Sequence, residues 1–503
     1  MSHRIRPGEE LRRKSVNAFY SQPPERPFCG SCAIVNRYLN ETFEELGYQV
    51  RGVYGTAPQG QADFFLPLPA VDRARRARDL PPADIALYCD FGLQLAPLRR
   101  RGSQKNVVFF HGFAGSPGHW AGNELVDRCW GASPYTRDVV RSLLAVPDWR
   151  ARRLLDPRAF GIVSHINIPL PCLEEPDGAL PEGLSELPWN VREALYQGDI
   201  LGHAVVAVKV DVPAMSSILL LLNRLARERA LGRRFRLVVA NEMFHRIQAA
   251  LRLPPDQSSP DLESFRTSLD QLDMTAADLL IPVPALAQSV LFEILAKCRF
   301  GLFYNVFAEP FGFYPLESVF HGCPVYTNGI GNLRYLLPDG CGIHVYEDEG
   351  TAQGDPAAFL PVAEAIYHDA VEDPGGARER CRLGVEHIRK EYSREALRRE
   401  VAAELERLAS RPEEHDFDTL GVCLSPLVRQ WNSATARVVS DYSSRVLDGI
   451  ESSLVDASLG RTCGELRGSF SGMDVEVLEK LFLSGVLALA PPASPVASSL
   501  MVA

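Results

Sequence analysis

The chain has 503 residues, which is too long for one hydrophobic core, so two or three domains are expected. A hydrophobic content of 46% and a charged content of 23% are ordinary for a soluble globular protein. The net charge of −10 argues against a dominant nucleic-acid-binding surface, so we expect no nucleic-acid partner.

Three features bear on the cellular compartment. The N-terminus, MSHRIRPGEELRRKS, lacks the apolar run of a signal peptide. The most apolar stretch, 200–222, is interrupted by Lys209, Asp211 and Pro213, so we expect no transmembrane segment. The 11 cysteines lack the spacing of a disulfide framework, which fits reduced thiols. Together these features predict a cytoplasmic protein.

The first part of the chain alternates apolar strands with loops and helices. Strands are predicted at 15–20, 48–54, 84–89, 106–111 and 160–168, with a helix at 32–46 and helical structure across 121–160. This alternation is typical of a parallel sheet built from βαβ units.

A C-G-S-C segment lies in the loop before the first helix, at Cys29 and Cys32. The spacing occurs in redox motifs, and the same letters surround the nucleophile of papain-like proteases, with His165 downstream. However, Ala33 stands where those proteases have an aromatic residue, and Arg26 replaces their upstream Gln. Two ordinary thiols at a helix start are the favoured interpretation; a redox role and a protease role are the alternatives.

His111 follows a predicted buried strand and precedes Gly112. A side chain at the carboxyl end of a parallel strand points into the crevice where α/β proteins bind ligands, so His111 is a candidate site residue. A structural histidine that caps the loop is the alternative. The segment HGFAGS also resembles the oxyanion loop of α/β-hydrolases, but the sequence has no G-x-S-x-G elbow to accompany it.

A second domain is expected to open near residue 200, after a loop at 169–190. Strands are predicted at 204–210, 235–240 and 279–283 and helices at 217–229 and 286–297, while 250–275 are polar. Two long amphipathic helices, separated by an EDPGG turn, are predicted across 355–408.

Residues 301–327 hold the main functional signal. The letters GLFYNVF predict a strand, EPFG a tight loop, YPLESVFHG a helix with Pro315 in its first turn, and CPVYT the next strand. At such a loop the helix N-terminus stabilises an anion such as a pyrophosphate, and Gly312 permits close approach. Glu309 and Glu317 bracket the site and suit sugar hydroxyls. Alternatively, Glu317 complements the helix dipole and Glu309 is a solvated loop acid.

The segment Glu309-Pro-Phe-Gly-Phe-Tyr-Pro-Leu-Glu317, followed by G-C-P-V, resembles the E-x7-E motif of retaining glycosyltransferases with the GT-B fold, especially family 4. The resemblance implies two Rossmann-like, doubly wound α/β domains that face a cleft. It implies that Glu309 contacts the donor sugar and Glu317 the nucleotide ribose. Donor contacts are also implied for the loop residues Phe311, Gly312 and Phe313. A nucleotide-sugar would be the substrate, with no cofactor and no essential metal.

The same resemblance implies a role for three residues of the first domain. Gly30 and Ser31 lie where a glycine loop faces the donor, and His111 lies where the family often has a histidine near the donor sugar.

In the second domain, Lys209 stands where the family has an arginine that grips the diphosphate. The family's second cation is missing, since residues 213–217 read PAMSS. Arg334 is a candidate to supply that charge from another loop, and a solvated arginine is the alternative.

The C-terminal segment departs from the family. Residues 411–418 predict an acidic linker, and Asp416 and Asp418 are not expected to bind a metal. The pattern at 460–489 suggests helix, helix and wing, and weakly resembles winged-helix domains that hold leader peptides. A peptide or protein acceptor bound through 416–490 is therefore one hypothesis, and a helical appendage or dimerisation element is the alternative. The tail PPASPVASS is predicted to be disordered.

These patterns predict an acceptor-side domain at 1–199, a nucleotide-sugar-binding domain at 200–410, and a linker, small mostly helical domain and tail at 411–503. The predicted function is a retaining hexosyltransferase whose acceptor the sequence does not identify. The alternative is a catalytically degenerate glycosyltransferase scaffold that binds a nucleotide or a protein. The missing second cation favours the scaffold, and the two glutamates oppose it.

Overall fold

The computed structural model describes residues 14–20, 30–54, 82–89, 102–112, 122–174, 187–204, 211–254, 257, 260–346, 356–467, 469 and 472–492. The chain forms two compact units. Unit 1 combines residues 1–169, 393–426 and 447–503, and unit 2 combines residues 170–392 and 427–446.

Unit 1 is built on a six-stranded sheet whose neighbouring strands are all parallel. The order β2-β1-β3-β4-β5-β8 comprises β1 (Ser15–Tyr20), β2 (Gln49–Tyr54), β3 (Ile85–Cys89), β4 (Lys105–Phe110), β5 (Arg128–Gly131) and β8 (Val163–His165). A small hairpin, β6 (Pro147–Asp148) with β7 (Arg153–Leu154), lies outside this sheet. The helices of this part are α1 (Gly30–Glu45), α2 (Pro134–Leu144) and α3 (Ala159–Ile162).

The expectation that residues 121–160 are helical is wrong for β5. This strand pairs with β4 on one side and β8 on the other. Trp130 is fully buried within it, and its indole N–H donates to Glu404 at 3.1 Å. Only α2, with Ser133 as its N-cap, and the short α3 are helical here. The many arginines of this region favoured a helix in the prediction, but hydrogen bonding to a strand on each side makes residues 128–131 a strand.

Unit 2 has a second six-stranded parallel sheet, in the order β11-β10-β9-β12-β13-β14. The strands are β9 (Ile200–Ala204), β10 (Phe235–Ala240), β11 (Leu280–Val283), β12 (Phe300–Phe303), β13 (Val325–Thr327) and β14 (Ile343–Val345). The helices are α4 (Trp189–Tyr196), α5 (Val212–Glu228), α6 (Asn241–Leu251), α7 (Pro260–Leu272), α8 (Ala276–Leu279), α9 (Gln288–Lys297), α10 (Phe313–Phe320), α11 (Leu360–Tyr367) and α12 (Pro374–Glu391).

The sheet of unit 2 has an apolar core on each face. Leu237 and Val239 of β10 belong to one cluster and Val238 to the other, as the alternation of a strand requires. The second cluster includes Val191 and Ala194 of α4. Because α4 packs on this sheet, residues 170–199 belong to unit 2, ahead of the predicted domain boundary at 200.

The first strand of unit 2 begins at Ile200, ahead of the predicted start at residue 204, and residues 205–210 of the predicted strand lie outside the described residues. β9 pairs with β10 through residues 200–204. At Gly202 an added Cβ would lie 2.2 Å from Cζ of Phe300, so only glycine fits this position. Tertiary packing therefore selects the register within a longer apolar run. The polar stretch 250–275 contains α7.

The sequence predicts two helices across 355–408, and the structure has three α-helices there. α11 runs into a π-helical turn, His368–Glu372, and α12 then starts at Pro374 with Asp373 as its N-cap. After a break at Ser393, α13 (Arg394–Arg407) begins unit 1's second segment.

The C-terminal extension, which comprises the residues from 411 onward, contributes to both units. In unit 1, β15 (Gly421–Leu424) pairs antiparallel with β19 (Leu487–Ala490) beside α14 (Gly449–Ser458), α15 (Cys463–Arg467) and α16 (Gly472–Leu483). In unit 2, the strands β16 (Val428–Asn432), β17 (Arg437–Ser440) and β18 (Ser444–Val446) form an antiparallel sheet that we call the meander. The predicted disordered tail lies outside the described residues from Ala493 onward.

Two general features concern the described part of the chain. None of its helices combines the length and the apolarity that a bilayer crossing requires. Nine cysteines there are free thiols. Burial raises the pKa of Cys129, Cys381 and Cys463 to about 12, which favours the unreactive thiol form.

Candidate functional site

The carboxyl edge of the unit 2 sheet holds the Glu309–Glu317 segment. The loop between β12 and α10 carries Glu309, whose backbone lies between two partners. Its N–H donates to the carbonyl of Ile330 at 3.5 Å, and its carbonyl accepts from the N–H of Asn332 at 2.7 Å. Glu309 thus forms a parallel bridge with Gly331, and its side chain is half-buried. These contacts fix the backbone of Glu309 at the carboxyl edge of the sheet.

Two glycines are required by this geometry. Gly331 has a φ of 72°, and a Cβ there would lie 2.5 Å from the backbone N and O of Glu309. Gly312 has a φ of 103°, and its Cβ would approach Leu336 Cδ1 to 3.0 Å. Glycine alone adopts such a conformation at low cost. The two glycines therefore allow the loop to turn sharply into α10.

The N-terminus of α10 has no side-chain cap. Its N-cap residue is Gly312, which has no side chain that could accept from the helix. A helix N-terminus without such a cap suits an anion. By contrast, α5 is capped by its own Asp211, whose carboxylate accepts from the N–H of Ala214 at 3.1 Å. The geometry therefore favours α10 over α5 as the place where a phosphate would bind.

Glu317 lies in the second turn of α10 and is only 6% exposed. The amide of Gln288 on α9 donates to its Oε1 at 3.5 Å. A favourable interaction with the helix dipole is confined to the first turn, so dipole compensation does not explain a glutamate at this position. A buried carboxylate one turn beyond an uncapped helix start is instead suited to accept hydroxyl hydrogen bonds from a ligand.

Phe311 and Phe313 have different surroundings. Phe311 is buried, and its ring lies 4.5 Å from that of Phe313 and 5.9 Å from that of Tyr392. The side-chain amide of Asn332 donates to the carbonyl of Phe311 at 2.7 Å. Phe311 therefore anchors the loop, whereas Phe313 is half-buried at the start of α10.

His203 is a residue that the sequence analysis did not single out. It lies fully buried in β9 and contacts α10 through both ring nitrogens: Nδ1 lies 2.7 Å from Tyr314 Oη, and Nε2 lies 2.8 Å from Ser318 Oγ. Because Ser318 Oγ donates to the carbonyl of Cys323 at 2.9 Å, it accepts from Nε2, and Nδ1 then accepts from Tyr314. The neutral ring therefore bonds α10 to the central strand. A histidine inside an apolar strand was the only sequence signal.

We expect acid to destabilise unit 2 through His203. Burial lowers its pKa from 6.5 to about 3, so the unfolded chain takes up a proton that the folded chain excludes. The stabilisation is complete above pH 6.5 and is lost as the pH falls toward about 3. Each pH unit within this window removes up to about 1.4 kcal/mol of the free energy of unfolding.

This expectation can be measured by urea unfolding of the wild type and of His203→Gln at several pH values. The variant should show a shallower pH dependence below about pH 6.5. His245→Gln, a change at an exposed position in α6, should keep the wild-type dependence. Equal slopes for His203→Gln and the wild type would contradict the assignment.

The two candidate cations have different outcomes. Lys209 lies outside the described residues. Arg334 follows Gly331 on a short 3-10 turn, Asn332–Tyr335, and its side chain is only 13% exposed. Its Nη2 lies 3.5 Å from Oδ2 of Asp441 in the meander. Arg334 is therefore not the solvated arginine that was considered as an alternative.

The site residues predicted in the first domain lie at the carboxyl edge of the unit 1 sheet. Gly30 and Ser31 begin α1, which follows β1, and His111 follows β4 directly. His111 Nε2 lies 3.2 Å from Oδ1 of Asn36 on α1. The structure thus connects His111 to the helix that starts with Gly30 and Ser31. Nothing is described of the side chain of Ser31.

The remaining sequence candidates are placed as follows. Cys29 lies outside the described residues, and only the backbone of Cys32 is described. His165 Nδ1 lies 3.1 Å from Nη1 of Arg137, and burial lowers the pKa of His165 to about 4. Asp418 pairs with Arg152. The described residues contain no group of three or more His, Cys, Asp or Glu side chains arranged to hold a metal ion.

Comparisons with known proteins bear on the fold. No protein-family model and no curated protein matches the chain. Among solved structures, the chain is similar to sucrose-phosphate synthase from Thermosynechococcus elongatus, with a TM-score of 0.51, 15% identity, and coverage of 79% of this chain and 100% of that one.

Two other solved structures give a similar result. One is α,α-trehalose 6-phosphate synthase from Burkholderia multivorans, with a TM-score of 0.50, 14% identity and coverage of 79% and 99%. The other is the N-terminal domain of Candida albicans trehalose-6-phosphate phosphatase, with a TM-score of 0.53, 10% identity and coverage of 80% and 98%. These likenesses confirm the predicted fold class, an α/β fold with two Rossmann-like domains of the GT-B type.

Proposed function

We propose that this protein is a glycosyltransferase that uses a nucleoside-diphosphate sugar as donor. The observation that carries the proposal is the arrangement around α10. An uncapped helix start suited to an anion is preceded by the clamped Glu309 and followed by the buried Glu317. A nucleoside-diphosphate sugar has its groups in the same order. Its diphosphate suits the helix start, and the hydroxyls of the donor sugar and of the ribose suit the two carboxylates.

Each group has a defined task in the proposed site. The N–H groups of Gly312 and Phe313 hold the diphosphate, and Glu317 accepts hydrogen bonds from the ribose hydroxyls. Glu309 contacts the donor sugar and stabilises the positive charge that develops on it in the transition state. Lys209 offsets the charge of the departing diphosphate.

The reaction replaces one bond to the anomeric carbon by another. The bond from C1 of the sugar to the β-phosphate oxygen breaks, and its electron pair leaves with the nucleoside diphosphate. The acceptor hydroxyl oxygen forms the new bond to C1, and its proton passes to a phosphate oxygen of the leaving group. The resemblance of the Glu309–Glu317 segment to the E-x7-E motif extends the proposal to retention of configuration and to a hexose as the transferred sugar.

The structural neighbours support the reaction class at a coarse level. Two of them are named as sugar-phosphate synthases, and both are covered over almost their whole length. They support a sugar-nucleotide enzyme without identifying the acceptor. A peptide or protein acceptor bound through 416–490 is a further part of the proposal, and a comparison of transfer to peptide acceptors with transfer to small-molecule acceptors would test it.

A thermal-shift screen of the purified protein against UDP, GDP, ADP and dTDP sugars tests the proposal. A ligand present at about 100 times its Kd adds about 2.7 kcal/mol of stability. Stabilisation by one nucleotide class, followed by transfer from that donor to an acceptor, is the expected result. Binding without transfer to any acceptor would favour the non-catalytic scaffold, and no shift with any donor would contradict the proposal.

A further inference from the structure

The meander of the C-terminal extension belongs to unit 2 and brings a buried charge to the candidate donor site. Asp441 lies at the turn between β17 and β18, and its N–H donates to the carbonyl of Leu427 at 2.9 Å. It is the only acidic residue in the sequence 427–446, and its side chain is completely buried.

Two arginines, each from a different secondary-structure element, lie near this carboxylate. Arg334 Nη2 of the Asn332–Tyr335 turn lies 3.5 Å from Oδ2, and Arg429 Nε of β16 lies 3.8 Å from Oδ1. Their side chains are 13% and 7% exposed. Charges withdrawn from water persist only when they are closely paired. Asp441 therefore supplies the buried negative charge that both arginines face.

Both arginines lie beside the loop 328–332, which supports Glu309. Arg334 lies just after this loop, and Arg429 Nη1 donates to the carbonyl of Asn328 at 3.5 Å. The side chain of Asn328 in turn bonds both backbone groups of Asn305, at 2.9 and 3.3 Å. At the other end, Asn332 contacts the backbones of Glu309 and Phe311.

We propose that Asp441 is a positioning residue for the donor site and that the meander is part of that site. By pairing with Arg334 and Arg429, Asp441 keeps the loop 328–332 in the conformation that clamps Glu309. The extension thus completes the sugar-binding end of unit 2. This inference rests on the proposed function where it concerns the donor, but the positioning of the loop can be observed without any donor.

The test compares the full-length wild type with Asp441→Asn, which keeps the side-chain volume and removes the charge. Amide hydrogen exchange without ligand should accelerate in peptides covering 305–335 and stay unchanged in α5. The Km for the donor should rise and kcat/Km should fall by about tenfold to a hundredfold, as a displaced site residue produces. Loss of folded protein alone would lower the apparent kcat and leave the donor Km unchanged.

Two further variants keep the inference falsifiable. Asp456→Asn makes the same change at an exposed position of α14 and should behave as the wild type. If Asp441→Asn does not fold, Arg429→Met leaves Asp441 paired with Arg334 and should still loosen the loop at Asn328 and raise the donor Km.

The outcomes separate the two proposals. Unchanged exchange at 305–335 in a folded variant, or faster exchange with an unchanged donor Km, would overturn the role of Asp441. A wild type that binds no nucleotide would instead contradict the proposed function, and the exchange measurement would still decide whether Asp441 positions the loop.

Discussion

Glu309→Gln should abolish sugar transfer while the protein keeps its fold and its nucleotide binding. The substitution removes one negative charge and keeps the side-chain volume. The backbone of residue 309 carries the contacts to Ile330 and Asn332, so the loop should keep its conformation. What disappears is the carboxylate that would face the positive charge developing on the donor sugar. Removal of a single group of this kind lowers kcat by about a hundredfold to a thousandfold.

The measurement is the initial rate of transfer from the donor that the thermal-shift screen identifies. Glu364→Gln makes the same change at an exposed position of α11 and should leave the rate unaltered. Undiminished turnover in Glu309→Gln would exclude a catalytic role for this carboxylate. Weaker donor binding with an unchanged kcat at saturating donor would place Glu309 among groups that bind the donor uniformly, without a special role in the transition state.

Glu317→Ala should remove most of the stabilisation that the nucleotide confers. The buried carboxylate is proposed to accept hydrogen bonds from ribose hydroxyls, and a hydrogen bond to a charged group contributes about 1.5–3 kcal/mol. Affinity should therefore fall by about tenfold to a hundredfold or slightly more. A ligand concentration of about 100 times the wild-type Kd would then stabilise a hundredfold weaker variant by only about 0.4 kcal/mol instead of about 2.7.

The comparison is made within each protein, with and without nucleotide, so a change in the variant's own stability does not enter the result. Glu364→Ala supplies the matched control at an exposed position. An undiminished nucleotide shift in Glu317→Ala would show that this carboxylate does not contact the ligand, and its burial beside Gln288 would then be purely structural.

The central unit of the site could be predicted from local sequence. An apolar strand, a loop with Gly312 and a helix with Pro315 in its first turn follow from residue chemistry alone. The structure has β12 and α10 on either side of this loop, although β12 ends at Phe303, before the end of the apolar run GLFYNVF. The spacing of Glu309 and Glu317 on either side of the turn is fixed by the same local geometry. The parallel sheets of both units also follow from alternating apolar strands.

The contacts that support the Glu309–Glu317 segment depend on tertiary structure. β9 lies at 200–204 because Gly202 fits against Phe300, while the apolar run from 200 to 210 allows several registers. His203 acquires its role only when α10 places Tyr314 and Ser318 beside it. Local propensity contains no information about either contact.

The contacts of the meander also could not be predicted from local sequence, because they join residues that are far apart in the chain. Asp441 is distant in the chain from Arg334, and an isolated aspartate in a polar segment gives no indication that it will be buried. Its burial follows from the antiparallel pairing of β16, β17 and β18 and from two arginines that need a partner away from water. The sequence by itself therefore determined the chemistry of the turn around Gly312, because that chemistry depends on neighbouring residues. The tertiary structure decided which distant charges and rings hold the turn in place, because burial and pairing depend on the whole fold.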